Sequence, residues 1–236
     1  MSFIIAQAAA CPTCGVEAKM QFPASINADR RPDLRAAILD GSLSTQSCRA
    51  CGEKLSFEPR LTYLDVWGRQ WILAEGADGR ADWAEIEQQA TEIYAASFGV
   101  EAPEIARGIG ALLEPRLVFG WPALAEKLLC RDYGLDDTAL EALKLATLAH
   151  CDVSNVNNTL DLRLTGREGE SLVLHWLHPT DGTPVERLTV PMAAYVLVKS
   201  GGEAWAPVIA RLAGQMYVDI GRVLHAPATR AARSAA

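Results

Sequence analysis

No stretch of the sequence stays apolar for the roughly 20 residues that a membrane-spanning helix needs, so no helical span is expected. The early apolar run Phe3-Ile4-Ile5-Ala6 is short and has no Lys or Arg before it. That argues against a signal peptide and against Cys11 as a lipid-anchored cysteine, and a first strand is the expected use of these residues. Positive charge is also short: 22 Lys and Arg face 29 Asp and Glu, a formal −7. This disfavours a protein that grips polyanions by counterion release. Residues 1–76 hold eight basic and eight acidic side chains, so the whole acidic excess lies beyond them. Six cysteines without framework spacing exclude a disulfide scaffold, and Cys130 and Cys151 sit in apolar, helix-like stretches, which suits a reducing cytoplasm. There is no internal repeat beyond two short cysteine turns. The remaining composition is that of a soluble globular protein, and 236 residues can bury a large core as one domain or two.

The two cysteine turns are the strongest pattern present. Cys11-Pro12-Thr13-Cys14-Gly15 and Cys48-Arg49-Ala50-Cys51-Gly52 each set two thiols three positions apart on a turn eased by a following glycine. Two such turns fill a tetrahedron. Four thiolates suit zinc or iron, and a lone all-thiolate site points to zinc. The 33 residues between Cys14 and Cys48 exceed the roughly 15 to 20 of the usual zinc-ribbon spacing, so the loop between them must carry structure of its own. Redox cycling is the rival use of Cys-x-x-Cys, and it calls for a helix N-terminus that lowers a thiol pKa. Here each turn runs instead into a strand-like stretch, Val16–Phe22 and Lys54–Tyr63. The expected site is one structural Zn2+ per chain on Cys11, Cys14, Cys48 and Cys51.

Along the chain, Pro32 and Asp33 open a short helix carrying Leu34, Ile38 and Leu39, with Gly41 as its left-handed cap. Leu55 to Leu73 reads as strands with a hairpin turn at Gly68-Arg69, its aromatics Trp67 and Trp71 belonging to a core. The polar, glycine-containing stretch 75–82 is the clearest boundary. Asp82 then caps an amphipathic helix from Trp83 to about Phe98. A weak helix over Pro103–Leu113, an apolar run over Arg116–Gly120, and helices over Pro122–Arg131 and Asp137–His150 follow, the last buried on more than one side. Strands over Leu160–Leu164, Leu172–Leu177 and Val185–Val190 predict a three-stranded meander. Helices after Pro191, over Ala204–Leu212 and near Tyr217–Leu224 close the chain, ahead of a frayed tail.

The chain resembles the CpXC family of bacterial and archaeal proteins, named for paired Cys-Pro-x-Cys motifs. Beyond the cysteines, the resemblance rests on Ser25-Ile26-Asn27-Ala28, Pro32-Asp33-Leu34, Leu39-Asp40-Gly41, Leu61-Thr62-Tyr63-Leu64-Asp65, Val118-Phe119-Gly120, Glu126-Lys127 and Gly134-Leu135-Asp136-Asp137. It spans about Cys11 to Lys144. It implies metal binding at Cys11, Cys14, Cys48 and Cys51 and assigns no reaction. Arg49 stands where the family name has its second proline, which leaves the ligands intact.

Other chemistry-bearing residues carry less. Neighbours in His150-Cys151-Asp152 point apart on a helix, so they form no relay among themselves. His175 and His178 fall on opposite faces of an extended strand, which argues against a second metal site. Asp136 and Asp137 are expected to cap a helix start. Arg30, Arg31 and Arg35 alternate with Asp29 and Asp33 and read as a solvated face.

The expected protein is α+β. It has a zinc-ribbon-like module over 1–76 with an inserted helix and β-hairpin. An α+β region over 83–225 follows, made of helices, a three-stranded antiparallel meander and C-terminal helices; 226–236 is a disordered tail. Its expected role is a zinc-stabilised interaction or scaffold protein with a protein partner. The alternatives are an enzyme with a site in the C-terminal region and a nucleic-acid-binding zinc ribbon that gathers Arg30, Arg31, Arg35 and Arg49 on one face.

Overall fold

The computed structural model describes residues 2–150, 160–179, 182–201 and 205–224. The first strand, β1 (Phe3–Ala10), enters the first cysteine turn, and β2 (Glu17–Asn27) leaves it antiparallel to β1. α1 (Pro32–Leu39) follows with Pro32 and Asp33 in its first turn, and Gly41 lies beyond it at φ 76°. The loop between the cysteine pairs therefore carries the short helix its sequence calls for. The second cysteine turn joins β3 (Thr45–Ser47) to β4 (Lys54–Ser56), again antiparallel.

β5 (Leu61–Asp65) and β6 (Gln70–Glu75) form the expected hairpin, with Arg69 in the left-handed region at φ 57°. The carboxylate of Asp29 accepts the turn N–H groups of Val66 and Trp67. Trp67 is the exception to the expected aromatic core. It rides the turn at 89 % exposure, while Trp71 is buried at 2 %. A turn tip projects its side chains beyond the layer that covers the strands.

α2 (Trp83–Phe98) and α3 (Glu104–Gly110) come next, then β7 (Glu114–Phe119), which pairs parallel to β6. The apolar run over 116–120 thus completes a five-stranded sheet in the order β1-β2-β5-β6-β7, and this sheet draws strands from both sides of the 75–82 stretch. β6 is buried along almost its whole length, because both faces are covered. Ile72 and Ala74 face Leu124 and Leu128 of α4 (Trp121–Asp132), together with Ile38 of α1. Trp71 and Leu73 face α2, with Ala90, Leu117 and Phe119 in the same cluster. A period of two along one strand feeds two cores.

α5 (Asp137–His150) leads to β8 (Asp161–Glu168), β9 (Ser171–Leu177) and β10 (Pro184–Pro191), an antiparallel meander with β9 in the middle. α6 (Met192–Lys199), α7 (Ala206–Leu212) and α8 (Ile220–Leu224) follow. Leu140 and Leu143 of α5 and Tyr195 and Val198 of α6 cover one face of this second sheet through Leu162, Leu164, Leu172 and Leu174. The molecule is a mixed α+β protein with a three-stranded antiparallel sheet, as its pattern predicts. Cys151, Asp152 and the 226–236 tail lie outside the described residues.

Candidate metal centre

The two cysteine turns fold alike. In the first, Gly15 N–H donates to Cys11 O at 2.8 Å and Cys11 N–H to Val16 O at 3.0 Å. In the second, Gly52 N–H donates to Cys48 O at 2.8 Å and Cys48 N–H to Glu53 O at 2.7 Å. Each closing glycine is left-handed, Gly15 at φ 70° and Gly52 at φ 77°, a region that costs an L side chain about 1–2 kcal/mol. Arg49 replaces proline without altering this closure. In both turns the first cysteine is buried and the second exposed, so the pairs meet with an inner and an outer thiol each.

All four sulfurs lie within 4.8 Å of one another. Cys11 Sγ stands 3.7 Å from Cys51 Sγ, and Cys14 Sγ stands 3.8 Å from Cys48 Sγ. A tetrahedral ion with metal–sulfur bonds of about 2.3 Å requires sulfur–sulfur edges of about 3.8 Å. The donor set therefore fits a tetrahedral, thiolate-preferring metal ion. Electrostatics agree. Backbone N–H groups of Cys51 and Ala50 draw the Cys48 thiol down to about 7. The Glu53 N–H acts in the same direction on Cys51, yet crowding by Cys14, Cys11 and Cys48 pushes that thiol up to about 12. Thiolates this close repel one another, and a divalent cation removes the repulsion. A floor of Met20 and Leu55, with Phe22 and Phe57 edge to face at 4.2 Å, lies against the inner cysteines. Trp121 Nε1 donates to Phe57 O at 2.6 Å and ties this floor to α4.

A sequence model described as CpXC protein matches residues 9–144, more than half of the chain. The chain belongs to the CpXC family. No curated protein and no solved structure matches it. The match begins at Ala9, at the end of β1, and ends at Lys144, and the CpXC segment holds further residues that act together.

Pattern reading missed these residues. Glu126, Lys127, Glu141 and Lys144, with Arg163 and Asp219 from beyond the match, are buried, three basic side chains against three acidic ones. Lys144 Nζ donates to both Glu126 oxygens at 2.9 and 3.0 Å and lies 2.9 Å from Glu141 Oε1. Arg163 reaches Glu126 at 3.0 Å and also pairs with Asp219. Lys127 pairs with Asp137 at 3.0 Å and donates to Val218 O. Burial pushes the Glu126 carboxyl up, but Lys144 and Arg163 outweigh it and hold it below the usual range. Asp219 is held low against its burial by Arg163 and Lys144. Burial dominates at Glu141, pushing it up to about 7. The network binds α4, α5, β8 and the start of α8 into one unit. The sequence signal was a charged residue set on an apolar helical face, as at Lys144, four residues from both Leu140 and Leu148.

The capping expectation divides. Asp136 caps α5, accepting Ala139 N–H at 2.9 Å, while Asp137 pairs with Arg116 and Lys127. His175 Nδ1 meets Thr165 Oγ1 at 2.6 Å. Among the described residues the four cysteines form the one cluster of metal-ligating groups.

Proposed function

We propose that this CpXC protein is a zinc-stabilised interaction or scaffold protein whose metal is structural. One observation carries the reading: four thiols at tetrahedral spacing, which fill every coordination position of a zinc ion and leave none for water or substrate. The pairing of two antiparallel hairpin turns supports a zinc-ribbon character for this part of the chain. Bound zinc would supply charge neutralisation and a cross-link between β1–β2 and β3–β4. Cys11, Cys14, Cys48 and Cys51 hold it, and Gly15 and Gly52 shape the turns. A reducing cytoplasm keeps such thiols available for metal.

The partner is proposed to be protein. Arg31 is paired with Asp33 and Arg35 with Asp132, both at 2.6 Å, which speaks against a basic nucleic-acid face. No helix among the described residues is long and apolar enough to cross a membrane. The buried acids and bases Glu126, Lys144, Arg163 and Asp219 are spent on one another in ion pairs, which speaks against an enzyme site built from them.

Elemental analysis of the purified chain, with thermal unfolding before and after a strong chelator, tests the reading. The expected result is about one zinc per chain and a lower melting temperature after chelation. Metal-free protein from a reducing preparation, unmoved by chelator, would overturn it and make thiol redox chemistry the next assay.

A further inference from the structure

We infer that β1 is a dimerisation strand, pairing antiparallel with β1 of a second copy of this chain across a two-fold axis to join two five-stranded sheets edge to edge. The inference goes beyond the scaffold reading and does not depend on which ion the thiols hold.

β1 ends the sheet order, and among the described residues nothing pairs with its outer edge. Native edge strands are ordinarily blunted by charge, proline, a bulge or short length. β1 spans eight residues with no charged residue and no proline, and its one register irregularity lies at its first residue, between Phe3 and Ile4. Phe3, Ile4 and Ile5 are exposed at 62, 44 and 39 %. They come from both faces of the strand, so no inward packing accounts for them.

The hydrogen-bond phase defines the partner. The amide of Gln46 donates to Gln21 O and accepts Gln21 N–H, so the main chain of Gln21 faces away from β1. Gln21 sits opposite Ala6. In an antiparallel ladder both members of such a pair turn their N–H and C=O outward. The same phase makes Ile4, Ala6, Ala8 and Ala10 the outward residues, and Pro23, which has no N–H to give, stands opposite Ile4 as this requires.

A second β1 uses all four outward residues in one register. Ile4 then faces Ala10 of the copy, Ile5 faces Ala9, Ala6 faces Ala8, and Gln7 lies on the two-fold. Large residues of the N-terminal half meet small residues of the C-terminal half, which lets facing layers fit. About eight main-chain hydrogen bonds result, two from each hydrogen-bonded pair. With no charge in the strand, a copy brings no like-charge opposition. A closed two-fold interface of this kind also removes the exposed edge.

Sedimentation of the full, metal-loaded chain tests the inference. Wild type is expected at twice the chain mass. Ala6→Pro, which removes an outward N–H but none bonded to β2, and Ala8→Lys, which adds a charge to the seam, are both expected at single-chain mass with metal content unchanged. Gln7→Cys is expected to cross-link to its own copy on mild oxidation, because a non-hydrogen-bonded pair brings Cα atoms to about 4.5 Å, within disulfide reach. Ala10→Cys, which faces Ile4 of the copy, is expected not to. A wild type at single-chain mass throughout, or a dimer unaffected by both edge variants, overturns the inference. If a variant loses its metal, the cross-linking pair decides alone: linkage at position 7 and not at 10 supports the register, and any other pattern overturns it.

Discussion

At the scale of single residues, the cysteine turns depend on a few groups that nothing else can replace. Cys48→Ser removes an inner thiol of the proposed zinc site, and metal per chain is expected to fall towards zero with a loss of stability, read by elemental analysis and thermal unfolding. Gly52 has open space where a Cβ would go, so its constraint is backbone conformation alone. Gly52→Ala is expected to cost about 1–2 kcal/mol. Gly108 is equally open but helical, with no positive φ. There the same change is expected to stabilise by about 0.5–1 kcal/mol, and denaturant unfolding of both variants checks the contrast. Lys144 shows the other kind of dependence. Lys144→Met leaves Glu126 and Glu141 facing each other in the interior, and a loss of about 3–5 kcal/mol is expected.

At the scale of elements, the network explains how a helix of only five residues holds its place. α8 begins beside Asp219, whose carboxylate pairs with Arg163 and accepts Gly221 N–H, while Ile220 N–H donates to Glu141. Just before it, Met216 and Tyr217 donate their N–H groups to Glu87. Asp219→Asn removes the charge that Arg163 meets and keeps the shape. Amide exchange over 216–224 is expected to quicken while exchange in β5 and β6 stays slow, a pattern that hydrogen-exchange mass spectrometry resolves. α5 illustrates what pattern reading can see. Its wide apolar arc predicted burial on more than one side, and Leu140 and Leu143 are indeed core. That its charged residues Glu141 and Lys144 are equally buried follows only from the partners that α4 and β8 bring to them.

At the scale of the molecule, the buried carboxylates give stability two opposite slopes with pH. Glu126, Asp161 and Asp219 titrate below their ordinary values in the folded chain, where the burial that opposes this is outweighed by Lys144 or Arg163. The unfolded state then binds more protons in acid, so stability falls as pH drops below about 4. Glu141 acts the other way. Burial lifts it to about 7, so the folded state holds a proton that the unfolded chain has already released. Stability therefore declines as pH rises from about 4.5 to 7. Comparing wild type with Glu141→Gln in chemical unfolding at several pH values isolates this limb. The stability difference is expected to shift towards the variant across that interval and to level off above it.

The sequence by itself determined the four cysteines of the candidate site, the turns that carry them and most of the elements. These are local properties: a thiol pair, a glycine in a tight turn, a proline at a helix start and a period of two or 3.6 can be read within a few residues. The tertiary structure alone decided which elements meet. It placed β7 beside β6, so that one sheet crosses the glycine-rich stretch at 75–82, and it left Trp67 on a turn tip. It also set Lys144 against Glu126 and Arg163 against Asp219. A buried ion pair is a contact between distant residues, and nothing in a single charged side chain says which partner will neutralise it.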